Sequence, residues 1–207
     1  MTEVQRFAEA FDVSRETRER LSLYAELLTK WNPAINLVSK STLPDLWTRH
    51  FADSAQLLEI ADISMGTWAD LGSGGGFPGL IVAILAAEKA PGLKVTCVES
   101  DQRKATFLRT VARETGTEVT VLSERIETLQ PLGADVVSAR ALAPLPALIG
   151  YAERHLATQG FALFLKGTGQ AKEIDLALAS WSFQIDTFPS RTDRGATILK
   201  LRSIRRV

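Results

Sequence analysis

Residues 69–82 read ADLGSGGGFPGLIV: a short apolar lead-in, five glycines between Gly72 and Gly79, then a run of aliphatic side chains. Glycine takes positive φ without strain and leaves bare backbone against which a ligand can lie. The stretch therefore reads as a strand, a tight turn and the start of a helix whose free N–H groups face whatever binds there.

The same alternation continues downstream. Short apolar runs at 67–71 (TWADL), 93–99 (LKVTCVE), 118–122 (EVTVL), 134–139 (ADVVSA) and 160–166 (GFALFLK) are spaced by helical segments expected at about 79–89, 101–115, 124–129, 144–157 and 170–180. That pattern predicts βαβ units and an α/β fold with a mostly parallel sheet. The last two runs, 183–189 and 196–202, are joined only by SRTDRG, a connection short enough for an antiparallel hairpin alone. Seven strands are expected in all.

Upstream the rhythm is helical. Leu21, Tyr24, Leu28 and Trp31 recur at three- and four-residue steps, WNPAINLVSKS interrupts them at Asn32 and Pro33, and a second helix is expected after Thr42 as cap and Pro44 in its first turn. Leu46, Trp47, Phe51 and Leu58 form its buried stripe. No Gly/Ser linker separates these helices from the sheet, so residues 1–61 are expected as a helical extension docked on a main domain of residues 62–207.

Composition narrows the function classes. The 207 residues are 45% hydrophobic and 23% charged with zero formal net charge, values that exclude disordered and collagen-like chains. No apolar run reaches the roughly 18 residues of a membrane span, and the polar amino terminus is unlike a signal peptide, so a cytosolic protein is expected. One cysteine, Cys97, and two distant histidines argue against a disulfide or a structural metal site. Residues 1–61 carry seven basic against nine acidic side chains, whereas the chain from Ser190 onward carries six basic residues against Asp193 alone. A local basic surface is thus available although the whole is neutral.

Two frames compete over the glycines. From Gly74 they spell a formal G-x-G-x-x-G that suits NAD or FAD; from Asp70 they spell an acidic residue running into G-x-G-x-G. A phosphate loop is disfavoured because no G-K-[ST] follows. A carboxylate at the strand end suits a ligand with an ammonium group, such as the methionine part of S-adenosylmethionine, and repels a pyrophosphate. Glu99 closes the second strand, where an acidic side chain accepts the ribose hydroxyls of an adenosine. His50 and Asp53 share a helix face, and a hydrogen-bond network docking the helices is the favoured reading, with contact to RNA or to the cofactor pocket as the alternative.

Taken together, WNPAINLVS (31–39), RHFADS (49–54), DLGSGGGFPG (70–79), KATFLR (104–109), SERIE (123–127) and VVSARALAPL (136–145) resemble the glucose-inhibited division protein B family over nearly the whole chain. Those bacterial enzymes methylate N7 of a guanine in small-subunit (16S) ribosomal RNA. The position after W-N, usually basic, is Pro33 here. The resemblance implies a class I, Rossmann-like methyltransferase fold, S-adenosylmethionine as donor, and cofactor contacts at Gly72, Phe77, Ile126, Glu127 and Arg140, alongside Asp70, Gly74, Gly76 and Glu99 from the turn and second strand. Guanine N7 carries a lone pair and no proton, so no general base is expected. Contacts to RNA are expected from Arg103, Lys104, Arg109, Lys166, Arg191 and Arg194, with the acceptor presented in a ribosomal particle to a monomeric enzyme and no membrane involved.

Overall fold

Aliphatic side chains on both sides of five consecutive strands call for cover on two faces, and the computed structural model, which describes residues 2–207, supplies it with helices. Strands β1 (Met65–Leu71), β2 (Gly92–Val98), β3 (Thr120–Leu122), β4 (Ala134–Arg140), β5 (Leu156–Lys166), β6 (Trp181–Pro189) and β7 (Thr197–Arg206) form one seven-stranded sheet in the order β3-β2-β1-β4-β5-β7-β6. The first five pair in parallel, whereas β7 runs antiparallel to both β5 and β6. The strand order reverses between β1 and β4, which opens a crevice at their carboxyl ends.

Helices α1 (Glu3–Ala10), α2 (Arg15–Ile35), α3 (Asp53–Ala61), α4 (Gly79–Lys89) and α5 (Gln102–Thr115) pack into one core on one face of the sheet, while α6 (Leu145–His155) and α7 (Gln170–Leu178) build a second core on the other. Strand β1 alternates between them: Trp68 faces the first, and Ala69 and Leu71 face the second. Residues Gly79–Ala86 of α4 are all buried, as a helix apolar on every side must be. It lies between the sheet and the amino-terminal helices α2 and α3. Among the described residues no helix is long and apolar enough to cross a membrane.

Three local expectations are corrected. Helix α2 does not break at Asn32–Pro33 but runs on to Ile35, where Asn36 closes it in the left-handed conformation at φ 49°. Proline's own φ is helical, so Pro33 forfeits one hydrogen bond, and Asn32 extends the buried stripe of Leu21, Tyr24 and Leu28 while its Oδ1 accepts the Val38 N–H at 2.9 Å. Thr42 caps no helix. It ends a 3₁₀ turn, Lys40–Thr42, and the next helical residues, Trp47–Ala52, are wound as a π-helix that leads directly into α3. Finally, 124–129 is a set of turns rather than a helix. Side chains of α6 claim its carbonyls: His155 Nε2 bonds the Ile126 oxygen at 3.0 Å and Arg154 Nε the Leu129 oxygen at 3.2 Å.

Candidate functional site

The turn after β1 is shaped by close packing on one side and open space on the other. Gly72 has φ +67°, and a Cβ there would stand 2.6 Å from Leu142 Cδ1. Gly76, at φ +97°, faces inward, where a Cβ would meet the Tyr24 hydroxyl and Leu80 Cδ1. Around Gly74 the nearest neighbour of a Cβ is the Gly72 carbonyl at 3.8 Å, so this part of the backbone borders a cavity. The Tyr24 hydroxyl donates to the Gly75 carbonyl from the opposite side, and the N–H of Ser73 bonds the carbonyl of Val98 at the end of β2.

Asp70 is fully buried and does not reach that cavity. Its Oδ2 accepts the Gly79 N–H at 3.0 Å and its Oδ1 accepts the Ser138 hydroxyl at 2.8 Å, while Ser138 Oγ accepts from Trp68 Nε1. The carboxylate is therefore a remote cap on the first N–H of α4, placed where the helix dipole favours negative charge. Burial pushes it up to about 6 from an ordinary 3.8, against the pull of neighbouring hydroxyls, the Gly79 N–H and Arg140. The expectation of a direct contact with a cationic ligand gives way to this bracing role. Gly76 is displaced from the expected lining for the same reason: it packs on the core, and Gly75 takes its place at the cavity wall.

The cavity itself has a volume of about 780 Å³ and lies over the carboxyl ends of β1, β2 and β4. It brings together Gly72, Gly74, Phe77, Glu99, Ile126, Glu127 and Arg140, as well as Lys104 and Lys166. Glu99 is nearly buried. Its Oε2 accepts the Gly74 N–H at 2.9 Å and its Oε1 the Asp101 N–H at 2.7 Å, which fixes the carboxylate and leaves further lone pairs for hydroxyl donors. Glu127 accepts from the Tyr151 hydroxyl at 2.8 Å. Arg103, Arg191 and Arg194 do not line the cavity. Arg103 pairs with Asp101 at 3.2 Å and Arg191 with Glu59 at 2.6 Å.

Arg140, the last residue of β4, anchors the opposite wall. Its Nη1 donates to the Arg49 carbonyl at 3.1 Å and lies 3.6 Å from Asp53 Oδ2, its Nη2 donates to His50 Nδ1 at 2.7 Å, and its guanidinium sits 4.8 Å from the centre of the Phe77 ring. An arginine has no acceptor, so His50 Nδ1 must accept, and the ring proton resides on Nε2, which donates to Thr42 Oγ1 at 2.9 Å. Burial first, then Arg140 and Arg49, hold His50 down at about 3. A neutral imidazole with both nitrogens engaged is a strut. Burial also lowers the Arg140 pKa, with Asp53 opposing it. Asp53 Oδ1 accepts in addition from Thr192, Gln56 and Ser190, tying the β6–β7 loop to the start of α3.

Sequence reasoning missed Leu37, Val38, Thr42, Tyr151 and Thr192 in the wall. The signal for the first two was the W-N-x-x-x-N-L stretch. Asn32 folds the chain back after α2 so that Leu37 rests against Gly75 and Val38 enters the lining.

A family model described as GidB, rRNA small subunit methyltransferase G, matches residues 17–192. Proteins named ribosomal RNA small subunit methyltransferase G are 55% identical in a Ruegeria species, over 95% of both chains, and 52% identical in Paramagnetospirillum magneticum, over 94% of this chain and 92% of that one. Among solved structures, an S-adenosylmethionine-dependent methyltransferase from Aquifex aeolicus aligns with TM-score 0.60 at 12% identity, covering 84% of this chain and 97% of the other. A putative S-adenosylmethionine-dependent methyltransferase from Methanococcus maripaludis aligns with TM-score 0.59 at 10% identity, covering 86% and 91%. These structures share the fold.

Proposed function

We propose, from the premise that this chain belongs to the rRNA small subunit methyltransferase G family, that it transfers a methyl group from S-adenosylmethionine to N7 of a guanine in 16S rRNA. The observation that carries this reading is the cavity wall. Bare backbone at Gly74, a fixed carboxylate at Glu99 and a buried cation at Arg140 line one continuous space at the sheet's switch point, and the histidine beside them, His50, has both ring nitrogens engaged.

These residues fit the donor. Gly72 and Gly74 offer main chain to its amino-acid part, with Phe77 packed behind them. Glu99 takes the ribose hydroxyls. Ile126 and Glu127 flank the adenine through an apolar side chain and backbone groups, and Arg140 provides a fixed positive charge at the edge of β4. The bound donor supplies an electrophilic methyl on a sulfonium. The protein's part is to hold the acceptor nitrogen in line and to exclude water. Guanine N7 presents its lone pair without losing a proton, in keeping with a His50 that is neutral and bonded at both nitrogens.

Purified protein incubated with labelled donor and undermodified small subunits, followed by digestion to nucleosides, is expected to yield 7-methylguanosine. Label in another nucleoside, or none in RNA, would overturn the assignment. The acceptor is taken to be RNA held in a ribosomal particle, because the chain is neutral overall and its basic surface is local. Equal methylation of protein-free rRNA would count against that context.

A further inference from the structure

The ion pairs divide the basic side chains near the cavity into two sets. Lys166 is half-buried and spent: its Nζ lies 2.7 Å from Glu173 Oε2 and 3.3 Å from the Ala143 carbonyl. Arg103 and Arg191 are neutralised by Asp101 and Glu59, and Arg140 is enclosed by His50, Asp53 and Phe77. Arg49, Lys104 and Arg125 differ. All three line the cavity, Arg49 and Arg125 are exposed and Lys104 is half-exposed, and none has a side-chain hydrogen bond or ion pair among the described residues. They come from three separate segments, the π-helical turn before α3, the first turn of α5 and the turns after β3.

We infer that Arg49, Lys104 and Arg125 form the contact surface for the phosphate backbone of the acceptor RNA, around the mouth through which the target base enters. The inference rests on the RNA-methylating function proposed above. A surface cation beside a carboxylate brings little net positive charge to a phosphate; an unpaired one releases counterions on contact and strengthens binding at low salt. Two of the three are placed by elements of the cavity itself. Arg49 offers its main-chain carbonyl to Arg140, and Arg125 precedes Ile126, whose carbonyl is held by His155. Glu124 and Asp193 also reach the lining. Their charges repel phosphate, so they border the surface rather than contact the backbone.

The test compares single substitutions by glutamine in the full chain. Affinity for undermodified small subunits is measured from roughly 50 to 200 mM salt, the range over which phosphate contacts show as a slope. Arg49→Gln, Lys104→Gln and Arg125→Gln are each expected to reduce the slope of log affinity against log salt by about one. Arg103→Gln and Arg191→Gln, which lose only paired cations, and Lys94→Gln, an exposed cation on β2 well before the strand's carboxyl end, are expected to leave it unchanged. Donor affinity by calorimetry reports that each variant retains its site. Unchanged slopes in the first three, or an equal fall with Lys94→Gln, would overturn the inference. Wild-type formation of 7-methylguanosine is read separately, so failure of the RNA surface is distinguishable from failure of the methyl-transfer assignment.

Discussion

Replacing Asp70 with asparagine removes one buried charge and almost no volume. The carboxylate is fully buried, and burial moves it from 3.8 up to about 6. The folded protein thus binds this proton more tightly than the unfolded chain does. Below 3.8 the group is neutral in both states and costs nothing; as pH rises towards 6 and beyond, ionisation in the native state becomes progressively unfavourable, and the penalty is complete above 6. Two pH units at about 1.4 kcal/mol each amount to about 3 kcal/mol. Asparagine carries no such penalty, and its amide can still accept the Gly79 N–H through oxygen and donate to Ser138 Oγ through nitrogen. The stability difference between Asp70→Asn and wild type is therefore expected to grow in the variant's favour by about 3 kcal/mol from roughly pH 4 to pH 7.5. For a chain of this size that is a widening of about 6–12 °C in Tm. Calorimetric unfolding at half-unit pH steps measures it. A gap independent of pH would refute the buried-cap account. Donor binding gives a second reading: bracing predicts a change within about threefold, under 1 kcal/mol, whereas a direct ionic contact predicts a far larger loss.

His50 has the opposite sign: its pKa is lowered from 6.5 to about 3, so native stability is expected to fall as pH drops from 6.5 towards 3, and His50→Gln should flatten that dependence in urea titrations at several pH values. An equally steep loss in the variant would contradict it. Gly79→Ala places a Cβ 2.6 Å from Cys97 Sγ and 2.7 Å from Asp70 Oδ2, and overpacking of this kind should cost about 1–3 kcal/mol; an unchanged urea midpoint would show that the helix start can shift. His155→Leu strands the Ile126 carbonyl and is expected to weaken donor affinity about tenfold, ~1.4 kcal/mol, while kcat at saturating donor is retained. A loss confined to kcat would instead put His155 in the methyl-transfer step.

The glycine turn, the strand–helix alternation and the terminal hairpin were legible because each is written locally. Gly72, Gly74 and Gly76 announce left-handed backbone, the aliphatic runs announce buried strands, and SRTDRG is too short for a crossover. The direction in which Asp70 points was not legible. From the strand it can serve a ligand or the helix that follows, and only its contacts with Gly79 and Ser138 decide. The turns at 124–129 carry helix-compatible residues, and the competing bonds come from Arg154 and His155, about 25 to 29 positions away. The same holds for the basic residues: Lys166 and Lys104 look alike in sequence, and the contacts of Lys166 with Glu173 and the Ala143 carbonyl separate their fates.

Burial of α4 on every side has a consequence for how the molecule comes apart. Leu80, Ile81 and Ile84 are fully buried between the sheet and helices contributed by the first sixty residues, and Tyr24 stacks on Phe77 across the same boundary, with Phe51 packed beside both. The amino-terminal helices and the sheet are therefore expected to unfold as one cooperative unit rather than two. Amide protons in α2 and in β1 should exchange with solvent through the same global opening. Residues 37–53 thus supply one wall of the cavity, through Leu37, Val38, Arg49, His50 and Asp53, and removing the amino-terminal helices is expected to open it.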